Sequence, residues 1–269
     1  MVDITNAHAI VTGGSSGIGR AVAQELAARG ARVSLIARRQ DLLDEAAGEL
    51  RKAGHRVETA SADVADREGV TAAIEGLADA MGPCDVLVTS AGMVEPGYFS
   101  ALADDVFRQT MDVDYFGTLW PIRAVVPSMV ERRTGSIVGV SSGAGLVGVF
   151  GYSAYSPAKF AVRGLLEVLR CELAPSGVHV GCACPPDTDT PQLAYENRIK
   201  PPETAAISGA IKPISAERVA RSIVRGIEKQ RFLITADIQT RALSRLAGLA
   251  PGVLQGMFDR AVRKTQRQT

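Results

Sequence analysis

Three side chains within one short stretch are of the types that can act together on a carbonyl group. Tyr155 and Lys159 are four residues apart, so on a helix they lie on one face, one turn from each other. An ammonium beside a phenol favours the phenolate, and we expect Lys159 to lower the pKa of Tyr155 from its ordinary value of about 10. Ser142 ends an apolar, strand-like run that would bring its hydroxyl to the same pocket. The trio suits proton transfer at a carbonyl, although the Tyr-Lys spacing alone also fits a surface tyrosine with a chance lysine partner.

A glycine-rich loop near the N-terminus separates a strand-like run at residues 7–12 from a helix-like segment at residues 20–29. Gly13, Gly17 and Gly19 have the spacing G-x-x-x-G-x-G. Such glycines let the backbone turn tightly and approach a pyrophosphate, whose charge is attracted to a helix N-terminus. A purely structural turn is the alternative. The residues that we predict to contact a dinucleotide here are Gly13, Ser15, Ser16, Gly17, Ile18 and Gly19.

The end of the second strand, residues 31–37, predicts which dinucleotide is bound. An NAD site usually has Asp or Glu at this position, where the carboxylate binds the ribose 2′-hydroxyl. This chain has Arg38 and Arg39 instead. Two guanidinium groups can bind a 2′-phosphate, and no carboxylate is present there to repel it. The pair predicts NADP(H), although both arginines could simply solvate the next helix.

Strand-like and helix-like segments alternate along the chain, which favours an α/β fold with a parallel, doubly wound sheet and right-handed crossovers. Asp63, before Val64, either accepts from the adenine amino group or caps a helix that begins near Ala65. Small residues after the fourth strand, including Ser90, Ala91 and Gly92, leave room for the cofactor's inner ribose. Further strands are predicted at residues 56–62, 84–90, 135–140, 177–184 and 231–236, and further helices at 41–54, 104–133, 153–174 and 216–229.

Composition narrows the classes of protein. The 269 residues are 46% hydrophobic and 22% charged, with a formal net charge of +1, which fits one domain over residues 1–269 and gives no reason to expect nucleic acid binding. We find no signal peptide and no apolar stretch of about 18 residues that would span a bilayer. The cysteines and histidines lack the spacing of a metal site. We expect Cys84, Cys171, Cys182 and Cys184 to be buried free thiols in a reducing, cytoplasmic compartment.

Two C-terminal segments interrupt the alternating pattern. Residues 191–214 are rich in Pro, Glu and Lys, and we predict an irregular lid over the substrate. Residues 241–269 form a basic tail with six Lys/Arg and one Asp, in which apolar residues recur at roughly helical spacing, broken by Pro251-Gly252. This tail could lie on a membrane surface. We favour docking on its own domain or on a second subunit.

Together these residues resemble the short-chain dehydrogenase/reductase family over nearly the whole chain. The matching elements are Thr12 to Gly19, Asp63, Ala91-Gly92, Ser142, Tyr155 and Lys159. The resemblance implies a single Rossmann-type domain with about seven parallel strands, flanked by helices. It also implies that Tyr155 is the acid/base, that Ser142 orients the carbonyl, and that Lys159 binds the nicotinamide ribose. A homodimer or homotetramer that pairs the helices near residues 104–133 and 153–174 is expected.

The predicted cofactor contacts include residues outside the glycine loop and the catalytic trio. They are Arg38, Arg39, Asp63, Val64, Ser90, Ala91, Gly92, Pro185, Thr188 and Thr190.

A narrower likeness, to 3-ketodihydrosphingosine reductases, is strongest at residues 185–191, 196–198 and 200–201. It implies NADPH-dependent reduction of the 3-keto group of a long-chain sphingoid base, a lipid-like substrate. Another lipid, a steroid or a 3-oxoacyl compound is the alternative substrate, and a non-catalytic nucleotide-binding scaffold is the alternative class. The eukaryotic members are membrane-anchored, and for this chain only peripheral membrane contact is expected.

Three positions depart from the family pattern. Thr89-Ser90 stands where two asparagines are common, and Pro186 stands where glycine is common. Asp114 replaces an asparagine that in the family helps to hold a water linked to the active-site lysine. Aspartate accepts the same hydrogen bonds but cannot donate an amide proton, and its charge favours the ammonium form of Lys159. Because the trio is intact, we expect activity to survive.

Overall fold

The computed structural model describes residues 3–208 and 212–268. Its central sheet has seven parallel strands in the order β3-β2-β1-β4-β5-β6-β9. These strands are β1 His8–Thr12, β2 Arg32–Ala37, β3 Val57–Ser61, β4 Val86–Thr89, β5 Gly135–Val140, β6 Val178–Ala183 and β9 Leu233–Ile234. A separate parallel pair joins β7 Thr188–Asp189 to β8 Ile214–Ser215. The predicted seven-stranded parallel sheet is confirmed.

Helices cover both faces of the sheet, as parallel strands require. One face packs on α1 Gly17–Ala27, α2 Gln40–Lys52 and α9 Ala216–Glu228. The other packs on α3 Arg67–Met81, α5 Gly117–Arg132 and α6 Tyr155–Leu173. Alternate strand residues serve the two faces: Val11 and Leu35 lie in the first core, and Ile10 and Ile36 in the second.

The order of the strands reverses at β1, which pairs with β2 on one side and with β4 on the other. Crossovers leave such a pair toward opposite faces, so a crevice opens beyond the carboxyl ends of the two strands. The glycine-rich loop and the small residues after β4 therefore lie at the same edge of the sheet.

The single helix predicted over residues 104–133 is interrupted. Helix α4, Asp104–Thr110, leads into a π-helical turn, Met111–Phe116, before α5 begins. A π turn holds one more residue than an α turn, so it changes the face on which later side chains lie. Asp114 lies inside this turn and is fully buried.

The prediction of an irregular segment at residues 191–214 is wrong for most of its length. Helix α7, Pro191–Ile199, is followed by α8, Pro202–Ser208, and residues 209–211 fall outside the described chain. Thr190 caps α7, because its Oγ1 accepts a hydrogen bond from the Leu193 amide at 3.2 Å. Whether the segment acts as a lid stays a prediction.

The basic tail forms α10 Ile238–Leu249 and α11 Pro251–Gln266, separated at the predicted break. Leu254 of α11 is buried, and Gln266 donates to the Glu203 carboxylate on α8 at 3.3 Å. The tail thus packs against the segment that precedes it. Among the described residues, no helix is long and apolar enough to cross a membrane.

The cysteine prediction holds for three of the four thiols. Cys84, Cys182 and Cys184 are buried, and burial raises the pKa of Cys84 to about 12. Cys171 is exposed, because its position on α6 faces away from the sheet. The apolar neighbours of Cys171 in sequence did not reveal which face of the helix it occupies.

Two glycines on neighbouring helices test the close packing of the glycine-rich loop. A Cβ on Gly19 of α1 would overlap the Gly13 carbonyl, whereas a Cβ on Gly48 of α2 would meet nothing within 4 Å. We expect Gly19→Ala to lower the free energy of unfolding by about 1–3 kcal/mol, because the loop must shift. Gly48→Ala should raise it by about 0.5–1 kcal/mol, because alanine favours a helix interior. Urea denaturation measures both, and a Gly19→Ala protein as stable as the parent would contradict the loop packing.

Candidate active site

One cavity of about 700 Å³ follows the carboxyl ends of the strands. It is lined at one end by the glycine-rich loop and Arg38, and near its middle by Tyr155. At the other end α7 and the C-terminal tail supply the wall. Every predicted cofactor and catalytic residue lines this cavity except Asp114, which lies behind Lys159.

The glycine-rich loop has the shape of a pyrophosphate cradle. Gly13 and Gly17 have φ angles of 67° and 52°, which favour glycine, and α1 begins at Gly17. A Cβ on Gly13 would lie 2.7 Å from the Ala91 amide nitrogen. Because glycines stand at these loop positions, a bound anion could approach the first turn of α1, whose free amides attract negative charge. The residues fit a dinucleotide.

The adenosine end of the cavity is bordered by two exposed arginines, Arg38 and Arg39. The Arg38 Nη1 lies 3.9 Å from the Asp63 Oδ2, so this guanidinium is only loosely paired. Asp63 accepts from the Ala65 amide at 3.0 Å, whereas the N-cap of α3 is Asp66. Asp63 thus holds the turn before α3, and the prediction that it caps this helix is wrong. Because Asp63 also lines the cavity, its contact with the adenine amino group stays a prediction.

The loop after β6 closes the cavity from the other side. The Gly143 amide donates to the Pro185 carbonyl at 2.9 Å, which ties this loop to the end of β5. Thr188 donates to the Pro186 carbonyl at 2.8 Å and Thr190 to the Thr188 carbonyl at 3.1 Å. These bonds hold both threonines in fixed positions along the cavity wall.

The catalytic trio lies near the centre of the cavity. Ser142 follows β5 and accepts from the Ala144 amide at 3.1 Å. Its hydroxyl lowers the pKa of Tyr155, and both side chains line the cavity. Tyr155 is the first residue of α6, and Lys159 lies one turn further on. The strand end and the helix start thus bring the three side chains to one place, as the spacing predicts.

Lys159 is only 4% exposed, and protein groups fix its ammonium. Its Nζ donates to the Val140 carbonyl at 3.3 Å and lies 3.6 Å from the Asp114 Oδ2. The Asp114 Oδ1 accepts from the Met93 amide at 2.8 Å. Burial raises the pKa of Asp114, and the Lys159 charge opposes that effect.

The expectation that Lys159 lowers the pKa of Tyr155 is wrong for this structure. Burial raises the pKa of Tyr155, and the charge of Asp114 raises it further, against the opposing hydrogen bond from Ser142. The Lys159 Nζ lies 5.4 Å from the Tyr155 ring centroid and is engaged by Asp114. The phenol therefore keeps its proton at neutral pH, which makes it a proton donor.

Further cavity residues were not predicted as site residues. Tyr152 packs edge-on against Tyr155 with ring centroids 5.5 Å apart, and its hydroxyl donates to the Glu196 Oε2 at 2.6 Å. Asp187, after β6, lines the same region. Tyr152 precedes α6, so helical periodicity gave no signal for it. The tail residues lining the apolar end are Leu243, Leu246, Leu254, Met257 and Phe258.

Comparisons with known proteins agree with this geometry. The family profile described as short chain dehydrogenase matches residues 7–200. The 3-ketodihydrosphingosine reductase of Bos taurus is 42% identical over 264 residues, covering 94% of this chain and 79% of the relative. The glycine betaine reductase of Emericella nidulans is 35% identical over 233 residues, covering 86% of this chain and 18% of the relative.

A solved structure shares the fold. A variant of actinorhodin polyketide ketoreductase with NADPH matches with a TM-score of 0.80 and 28% identity, covering 87% of this chain and 97% of that one. The sequence match, the sheet order and the cavity at its switch point all agree. The chain therefore belongs to the short chain dehydrogenase family, and it is an oxidoreductase that acts on carbonyl and alcohol groups.

Proposed function

We propose that this chain reduces the ketone of 3-ketodihydrosphingosine to the corresponding alcohol, dihydrosphingosine, with NADPH as the reductant. The observation that carries the proposal is one cavity joining an arginine-bordered nucleotide end to an apolar end, with Tyr155 between them. The name of the Bos taurus relative supports the substrate. Another lipid, a steroid or a 3-oxoacyl compound remains the alternative, and the intact trio weighs against a non-catalytic scaffold.

The protein groups position the substrate and move one proton. Ser142 and Tyr155 hydrogen-bond the carbonyl oxygen and stabilise the negative charge that develops on it. NADPH, when bound, supplies the hydride that the carbonyl carbon accepts. Tyr155, kept protonated by burial, gives its proton to the oxygen, which completes the alcohol.

Lys159 and Asp114 support this proton transfer from behind. The Val140 carbonyl and Asp114 fix the Lys159 ammonium at the side of the cavity where the nicotinamide ribose would be held. We propose that Lys159 binds that ribose and that Asp114 keeps the lysine charged and in place. The aspartate thus replaces the family asparagine as a positioning residue.

Arg38 and Arg39 would select NADPH over NADH. Both guanidinium groups are exposed at the cavity edge, and the Arg38 ion pair with Asp63 is long, at 3.9 Å, which leaves Arg38 able to bind a 2′-phosphate. Loop contacts from Pro185, Thr188 and Thr190 would hold the nicotinamide end. An arginine guanidinium can donate two parallel N–H···O hydrogen bonds to one phosphate, which gives selectivity as well as affinity.

The apolar end of the cavity suits a long hydrocarbon chain. Its wall comes from the C-terminal tail, where Leu254 is buried and Met257 is exposed although it lines the cavity. Met257 therefore lies at the cavity mouth. We propose that α10 and α11 form the acyl-chain channel, which gives the tail a role in substrate binding.

Two outer surfaces support further contacts. Val253 and Met257 lie on one face of α11 with Arg260 and Lys264, and we propose that this basic, apolar face touches an anionic membrane. This proposed membrane contact is consistent with a cytoplasmic protein that binds peripherally to a membrane. We also propose a homodimer or homotetramer formed through α5 and α6, supported by the exposed apolar side chains Phe160 and Val168.

Ultracentrifugation tests both surfaces in one series. We expect a dimer or tetramer in buffer, and we expect the protein to sediment with phosphatidylglycerol vesicles but not with neutral ones. Arg260→Glu combined with Lys264→Glu should abolish vesicle binding, because the charge reverses, and should leave the oligomer intact. A monomer in buffer would contradict the proposed subunit contact. Equal amounts of protein sedimenting with anionic and with neutral vesicles would contradict the proposed electrostatic contact with the membrane.

Tyr155→Phe removes the proton donor and keeps the ring. We expect kcat for 3-ketodihydrosphingosine reduction to fall by about 100- to 10,000-fold, the usual contribution of a general acid. NADPH affinity, measured by fluorescence titration, should be unchanged. Tyr98→Phe, which removes an exposed phenol bonded to Glu203 at 3.0 Å, serves as the control. Turnover by Tyr155→Phe at the parental rate would contradict the role of Tyr155 as the proton donor.

Arg38→Ala tests the choice of cofactor. We expect KM for NADPH to rise by about tenfold or more, since a charge-assisted phosphate contact is lost. KM for NADH should barely change, because NADH has no 2′-phosphate. Arg56→Ala removes an arginine at the opposite end of β3 and is the matched control. Equal effects of Arg38→Ala on both cofactors would remove the phosphate role.

A further inference from the structure

Two carboxylates lie in the cavity close to the proposed proton donor. Glu196 is only 7% exposed, and its Oε2 accepts from the Tyr152 hydroxyl at 2.6 Å. Asp187 is half-buried in the loop after β6. Both residues line the same cavity as Tyr155, and both negative charges raise its pKa. The proton transfer described above makes no use of either residue.

Neither carboxylate has a cation in contact. Among residues 3–208 and 212–268, the ion pairs within 4.0 Å include neither Glu196 nor Asp187. Lys200 acts on both only at longer range, and its Nζ donates to the Ser208 hydroxyl at 3.0 Å. The neutral Tyr152 hydroxyl provides a hydrogen bond to Glu196. Carboxylates that are withdrawn from water without a paired cation are costly, which is typical of a site that receives a charged ligand.

The position of the pair suggests the ligand. Tyr152 touches the Tyr155 ring with its own ring and Glu196 with its hydroxyl, so Glu196 lies one side chain away from the carbonyl-binding phenol. A cationic nitrogen on the carbon next to the ketone is two bonds from the carbonyl carbon, so a group that contacts this nitrogen must lie close to Tyr155. An ammonium group has three donors, enough to bind both carboxylates at once.

We infer that Glu196 and Asp187 form an ammonium subsite that selects ketones with a cationic nitrogen on the adjacent carbon. This inference rests on the proposed function and adds the residues that distinguish an amino ketone from a plain ketone of the same length. Metal binding is a poorer match, because the described residues contain no cluster of three or more His, Cys, Asp or Glu that could hold an ion.

The first test compares two substrates. These are 3-ketodihydrosphingosine and the hydroxy ketone of equal chain length that lacks the 2-amino group. We expect the parent to prefer the amino ketone in kcat/KM by about tenfold or more, the usual weight of a charged hydrogen bond. Glu196→Gln and Asp187→Asn should each remove most of that preference while keeping turnover of the plain ketone.

Glu203→Gln is the matched control. Glu203 is also buried and accepts from a tyrosine hydroxyl, Tyr98 at 3.0 Å, but it does not line the cavity. We expect this variant to keep the parental preference for the amino ketone. If Glu203→Gln lost the preference as fully as Glu196→Gln does, the effect would be structural and the inference would fail.

Binding without turnover separates this inference from the proposed function. We expect calorimetry on the parent to show tighter binding of octylamine than of 1-octanol, and Glu196→Gln to bind both alike. Amine-selective binding with no reduction of 3-ketodihydrosphingosine would overturn the proposed function and support the subsite. Reduction of that ketone with no preference for either the amino substrate or the amine would overturn the subsite and leave the function standing.

Discussion

A buried ion pair behind the proton donor governs the arrangement of this active site. Lys159 and Asp114 are both withdrawn from water and face each other at 3.6 Å, next to the Tyr155 ring. Removing one partner of such a pair leaves an uncompensated charge, which is strongly destabilising. The pair therefore fixes its surroundings. The π turn brings Asp114 to the lysine, and Gly92 must stay small because a Cβ there would lie 3.0 Å from the Asp114 Oδ1.

The same constraint explains why the phenol is an acid and not a ready phenolate. Asp114 engages the lysine charge that would otherwise stabilise the phenolate, and burial favours the neutral form. Reduction of a ketone to an alcohol needs a general acid that is protonated before the reaction and can protonate the carbonyl oxygen. The negative charge of Asp114 therefore adds to burial in raising the pKa of Tyr155, an effect that a neutral asparagine would not have. The other end of the same cavity is lined by apolar residues of the C-terminal tail, where we propose that the hydrocarbon chain of the substrate binds.

Much of the fold could be predicted because buried parallel strands appear in sequence as short apolar runs between helices. All seven strands lie within two residues of the predicted bounds. The last of them, β9, is the most shortened relative to its prediction at residues 231–236, since only Leu233 and Ile234 pair with β6. The glycine-rich loop was predictable from its spacing, because a Cβ at Gly13 or Gly19 would overlap neighbouring backbone atoms and only glycine fits there.

The missed features depend on contacts between distant parts of the chain. The π turn holds Asp114 beside Lys159, a residue 45 positions further along the chain, and no local pattern records that contact. Helices α7 and α8 were hidden by prolines, which stand at the first position of each helix and not inside it. The pKa of Tyr155 and the pairing of Glu196 with Tyr152 follow from burial, which composition alone does not give.

The most direct measurement follows one hydrogen atom. The purified protein would be incubated with 3-ketodihydrosphingosine and NADPH that carries deuterium at the transferred position of the nicotinamide ring, and the product would be analysed by mass spectrometry and nuclear magnetic resonance. Our account predicts dihydrosphingosine with deuterium on carbon 3, formed at the rate of NADPH oxidation. An unlabelled product, or NADPH oxidation without any amino alcohol, would contradict it.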